Sequence, residues 1–122
     1  MIIEAAKASK IINSRGEETI SIIIDTKAGR VIAAAPSGKS RGKHEAAAFS
    51  EKGIDFSVSF ANAMAKKFSA EKVLFSEFED LEKFEKLIRQ YDKTKNWSMA
   101  GGNMVIAFES AILKAIALGK NQ

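Results

Sequence analysis

The chain has 122 residues, the length of one domain, and 46% of them are hydrophobic, enough to fill a single core. It has no cysteine, which excludes a disulfide framework and a thiolate metal site. Its net charge of +4 allows weak attraction to anions, but the basic residues are spread along the chain without interleaved aromatics, so nucleic-acid binding is not expected.

The opening MIIEAAKASK lacks a long apolar stretch and does not read as a signal peptide. Ile2, Ile3, Ala5 and Ala6 begin an extended segment that ends at the turn residues Asn13, Ser14, Arg15 and Gly16. The β-branched run Thr19–Thr26 predicts a second strand, Lys27–Arg30 a turn, and Val31–Ala35 a returning strand. Short connections make an antiparallel meander the economical arrangement. Past residue 50 the apolar period changes. Ile54, Val58, Ala61, Ala65 and Phe68 fit one face of a helix. Ser76 and Glu79 have capping-box spacing ahead of a helix whose apolar side reads Phe78, Leu81, Phe84 or Glu85, Ile88 and Tyr91. A last helix, from about Asn103 to Leu118, is apolar almost all round and suits the centre of a core. The region Met104–Leu118, broken by Glu109, Ser110 and Lys114, is too short and polar to span a bilayer, so a soluble, cytoplasmic protein without a membrane partner is expected. The fold class is therefore α+β: strands over about 1–36, helices over about 54–119.

Between them lies the chain's only proline, in Pro36-Ser37-Gly38-Lys39-Ser40-Arg41-Gly42-Lys43-His44-Glu45-Ala46. Such a loop offers backbone amides, hydroxyls and positive charge to an anion or a metal–phosphate complex. Gly38-Lys39-Ser40 ends like a nucleotide-binding P-loop, but the upstream glycine that motif needs is Ala33. The plain alternative is a solvated basic turn.

Three segments, in order, resemble the amino-terminal domain of enolase. Ser14-Arg15-Gly16 with Thr19 is similar to its D-S-R-G-N-P-T element. The loop resembles the family's P-S-G-x-S-x-G-x-x-E-A mobile loop at Pro36, Ser37, Gly38, Ser40, Gly42, Glu45 and Ala46. Asp92, Thr94, Asn96, Ser98, Gly101 and Asn103 match D-G-T-x-N-K-S-x-L-G-A-N. The resemblance spans nearly all of residues 1–122. It implies a small domain that covers the mouth of a larger carboxy-terminal barrel, in an enzyme interconverting 2-phosphoglycerate and phosphoenolpyruvate. In the family the barrel supplies the base, the acid and the first-magnesium carboxylates, and the loop serine binds the second magnesium once the loop closes on the phosphorylated acid. Here that serine is Ser40, with Ser37, Gly38, Lys39, Arg41 and Gly42 as the closing residues; Gly38 and Gly42 are the expected hinges. No catalytic residue is assigned on this chain, and its 122 residues contain no barrel sequence. His44 falls at a position that varies in the family.

Some residues depart from the pattern. Lys39 and Arg41 replace small loop residues, and Glu17-Glu18 replaces N-P. Ser9 and Ser21 stand where many enolases carry arginine and glutamate that take part in subunit contacts, and Glu109 replaces a small residue and needs a partner if buried. Two functions are therefore expected. One is a capping domain that supplies its loop to a separate or removed barrel and is inactive alone. The other is a free-standing, non-catalytic module that binds an anion or a protein. Self-association or a stable partner is a further expectation for the domain without its barrel.

Overall fold

The computed structural model describes residues 1–35, 52–94 and 99–120. Strand β1 (Ala5–Ile12), β2 (Glu18–Thr26) and β3 (Gly29–Ala34) form one antiparallel sheet in the order β1-β2-β3. Helices α1 (Ile54–Glu71), α2 (Leu81–Arg89) and α3 (Gly102–Lys120) follow, with a short 3₁₀ turn, Phe78–Asp80, leading into α2. The three-stranded meander followed by helices is the arrangement the sequence predicts.

The sheet's alternation sets the layers. Ala8, Ile22 and Ala33 are register partners and are buried; Ile20 and Ile24 lie on the same face and are also buried. Helix α1 packs along β1, and α3 packs on β2 and β3. An aromatic cluster joins the three helices. Phe68 packs against Phe75, Phe84 and Phe108 with ring centroids 5.5–5.8 Å apart, and Phe84 lies 5.2 Å from Phe108. All four rings are fully buried, so each links a different part of the chain, from α1 to α3, into one core.

Helix directions follow from contacts to the sheet edges. On α1, Asn62 bonds Ala8 and Ser69 donates to the Glu4 carbonyl, while Asp55 reaches Lys10. Helix α1 therefore runs antiparallel to β1. On α3, Lys114 donates to the Ile32 carbonyl. Leu118 lies so close to Gly29 that a Cβ there would meet it at 3.2 Å; Gly29 also has φ of +138°, a conformation that favours glycine. Helix α3 therefore runs antiparallel to β3. The amino terminus is tied down by Met1, whose ammonium donates to the Phe75 carbonyl and whose carbonyl accepts from the Phe75 amide.

Four local expectations shift. The β2–β3 turn is only Lys27-Ala28, because Gly29 and Arg30 already pair with Thr26 and Asp25. The capping box is Glu77 with Asp80, and the Asp80 carboxylate accepts from the Ser76 and Glu77 amides. Phe78 is 67% exposed and Tyr91 52% exposed, although Phe84 and Ile88 are buried as expected. Phe78 sits on the 3₁₀ turn, whose tighter winding takes it out of the α2 stripe, and Tyr91 lies past the last residue of α2. Finally, α3 is longer than the expected apolar region, and by length and composition alone it could cross a membrane. Its buried residues, among them Ala107, Phe108, Ala111, Ile112 and Ala115, form the core facing the sheet.

Candidate functional site

The fold brings the β1–β2 turn, Ala35 and the first residues of α1 and α3 to one end of the sheet. The β1–β2 turn, with Ser14, Arg15 and Gly16 exposed, lies there by construction of the hairpin. The Asn13 side chain accepts from the Arg15 and Glu17 amides, and Gly16 supplies φ of +77°. Strand β3 ends at the same end, since Ala34 pairs with Ser21 and the Ala35 amide donates to the Ile20 carbonyl. Because α1 is antiparallel to β1, its first residues also lie there, and Lys10 bridges Glu18 and Asp55 at 3.3 Å each. Ala35, the last described residue before Pro36, and Gly53, at the start of α1, thus lie at the same end. The antiparallel course of α3 puts Gly102 and Asn103 there as well.

Two buried polar residues hold this end in shape. Thr19, 2% exposed, donates its hydroxyl to the Ala35 carbonyl at 2.9 Å, fixing the residue that enters the Pro36–Ala46 segment. Asp92 is fully buried. Its carboxylate accepts from the Thr94 amide and hydroxyl on one oxygen and from the Met99 and Ala100 amides, at 3.1 and 2.8 Å, on the other. Burial by itself pushes the Asp92 carboxyl up. The Thr94 hydroxyl and the Ala100, Thr94 and Met99 amides outweigh burial and hold it below its usual value. Arg89 closes the neighbouring turn by donating to the Thr94 carbonyl. Both Asp92 oxygens are committed to protein donors, so its chemistry is that of a structural anchor and not of a metal ligand.

The chain belongs to the enolase N-terminal domain family. The family model for the enolase N-terminal domain matches residues 3–122. Among relatives, the enolase of Methanothermobacter thermautotrophicus is 34% identical over 120 residues, which cover 98% of this chain and 28% of that protein. The enolase of Methanosphaera stadtmanae is 32% identical over 120 residues, again 98% of this chain and 28% of the relative. That of Thermoplasma acidophilum is 33% identical over 115 residues, 94% of this chain and 28% of the relative. The chain thus spans under a third of the length of these relatives.

Within this enolase-family domain, the predicted site residues Ser37, Gly38, Lys39, Ser40, Arg41 and Gly42 lie outside the described residues, as do Asn96, Trp97 and Ser98. The structure defines their anchor points, not their own geometry. Among the described residues no group of three or more His, Asp or Glu is arranged to hold a metal ion. A groove of about 790 Å³ at the opposite end is lined by Met1, Thr26, Lys27, Lys72 and Lys120, among others, and holds no motif residue.

Sequence reasoning missed Asp92 as the organising carboxylate of its loop, although it named the residue in a motif. The signal was there: an Asp two residues before a Thr favours a local turn closed by side-chain bonds. It also missed Asn62, whose partner is 54 positions away and leaves no local pattern.

Proposed function

We propose that this chain is an enolase-type capping domain. It carries a loop that closes over 2-phosphoglycerate or phosphoenolpyruvate held by a barrel polypeptide. The observation that carries this reading is the convergence of both anchors of the Pro36–Ala46 segment, Ala35 and Gly53, with the β1–β2 turn and the start of α3. A loop rooted twice on a rigid sheet end can reach over a neighbouring surface and exclude water as it closes. Ser40 is the residue that would hold magnesium, through its hydroxyl and main-chain oxygens, and Lys39 and Arg41 add positive charge beside the substrate phosphate. Magnesium, when bound, supplies charge that stabilises the anion formed by removing a proton next to a carboxylate. The chain's own residues orient the loop and shield the site; base and acid come from the barrel. A cytoplasmic setting accords with that substrate class.

The test is complementation. A barrel domain from the Methanothermobacter enolase, produced without its amino-terminal domain, is mixed with this chain and assayed with magnesium and 2-phosphoglycerate. Activity is expected with the wild-type chain and is lost with Ser40→Ala. No gain on mixing overturns the reading.

A second reading, a free-standing module without catalysis, is favoured by one observation. Ser9 and Ser21 face each other in register across β1 and β2. Both family charges are therefore replaced at a single cross-strand site, which removes the charged pair of the family's subunit contact. Binding of inorganic phosphate or a protein without any complementation supports it.

A further inference from the structure

Helices α2 and α3 flank a second groove, of about 430 Å³, separate from the loop end. Its apolar part includes Phe78, 67% exposed, and Ile106, 47% exposed, with Leu81 and Leu113. Exposed apolar side chains gathered in one groove are the ordinary mark of a docking surface. Its polar lining is acidic. Glu79 from the 3₁₀ turn, Glu82 and Glu85 from α2 and Glu109 from α3 all face it, with Ser110, and no lysine or arginine lines it. The chain as a whole is net positive, so this charge is local.

We propose that the α2–α3 groove docks a protein segment that presents an arginine or lysine flanked by apolar side chains. The argument is complementarity of shape and charge. The aliphatic stem of such a residue lies along Phe78 and Ile106 while its cation reaches between Glu85 and Glu109. The two carboxyls come from the two facing helices. Burial, then the Glu85 hydrogen bond and its charge, push Glu109 up to about 8. A cation placed between them offsets one of the two carboxylate charges and favours release of the Glu109 proton. Docking therefore releases a proton and tightens as pH rises toward and past 8.

The test is an NMR titration of the full 122-residue chain with the peptide acetyl-Leu-Arg-Leu-Leu-Arg-Leu-amide, against the same peptide with citrulline in place of arginine. The expected result is a set of amide shifts confined to Phe78–Glu85 and Ile106–Leu113. Affinity should be at least tenfold tighter at pH 8.5 than at pH 6 and at least tenfold weaker for the citrulline peptide. A Glu85→Gln/Glu109→Gln double variant should lose the pH dependence. Phe78→Ser, at an exposed position that folding does not require, should weaken binding several-fold while leaving the spectrum otherwise intact. Equal binding of the citrulline peptide, shifts at the Lys27–Lys72 groove instead, or no saturable shifts would overturn the proposal. So would concentration-dependent self-association that Phe78→Ser abolishes, which would assign the groove to a second copy of this chain.

Discussion

The side-chain amide of Asn62 pairs with both main-chain groups of Ala8. Its oxygen accepts from the Ala8 amide at 2.8 Å and its nitrogen donates to the Ala8 carbonyl at 3.1 Å. Strand β1 is an edge of the sheet, and at this position the Asn62 amide takes the place of a neighbouring strand. On the opposite edge Lys114 does part of the same work at the Ile32 carbonyl.

Replacing Asn62 by leucine keeps the bulk and removes both bonds. The expected cost is about 1–2 kcal/mol, because two part-buried main-chain groups lose their partners. Urea unfolding measures it, and hydrogen exchange of the Ala8 amide should quicken in the same variant. An unchanged exchange rate would show that the edge is protected by other means.

Asp92 is the more costly residue to alter. Asp92→Ala leaves the Met99, Ala100 and Thr94 donors facing a cavity, and about 2–4 kcal/mol of stability should be lost. Asp92→Asn also destabilises, since its amide NH₂ brings a donor where only acceptors fit. The folded carboxyl lies below its usual value, so its contribution is full above the ordinary carboxylate range and is lost as pH falls through the folded value. Wild-type stability should therefore fall on acidification, and the slope below pH 4 should be smaller in Asp92→Asn.

Glu109 works in the opposite direction. Its folded pKa is raised to about 8, so between the ordinary carboxylate range and pH 8 the folded state binds a proton that the unfolded state releases. Its stabilising contribution is full below the unfolded pKa and is lost as pH rises toward 8. Glu109→Gln should flatten that fall and gain on the order of 1 kcal/mol over wild type at pH 8, with solvent screening at this half-buried position included. Thermal unfolding across pH 5 to 9 reads the difference. A wild-type curve flat through this range would mean that Glu109 titrates normally.

The 122-residue chain by itself is expected to be inactive. The purified chain with magnesium and 2-phosphoglycerate should show no turnover above background. Turnover that survives repurification and disappears in Ser40→Ala would overturn this.

Much of the fold could be read from local pattern. The alternation in Thr19–Thr26 and the helical period from Ile54 to Phe68 each come from residues close in sequence, and β2 and α1 form where those patterns lie. Boundaries were less legible. Phe78 fits an apolar stripe on paper, but the 3₁₀ turn that starts at it is set by Asp80 capping the Ser76 and Glu77 amides.

The family motifs, their order and the departures from them are properties of the sequence alone, because they consist of residue types at fixed spacing. Tertiary structure decided where those residues meet. The antiparallel courses of α1 and α3 bring Ala35, Gly53 and Gly102 to one sheet end, and packing against β1 and β3 sets those directions. It also supplied the partner that Glu109 lacks in any local window, Glu85 on the facing helix. Bonds such as Asn62 to Ala8 join residues 54 apart, and only the packed core brings such pairs within hydrogen-bond reach.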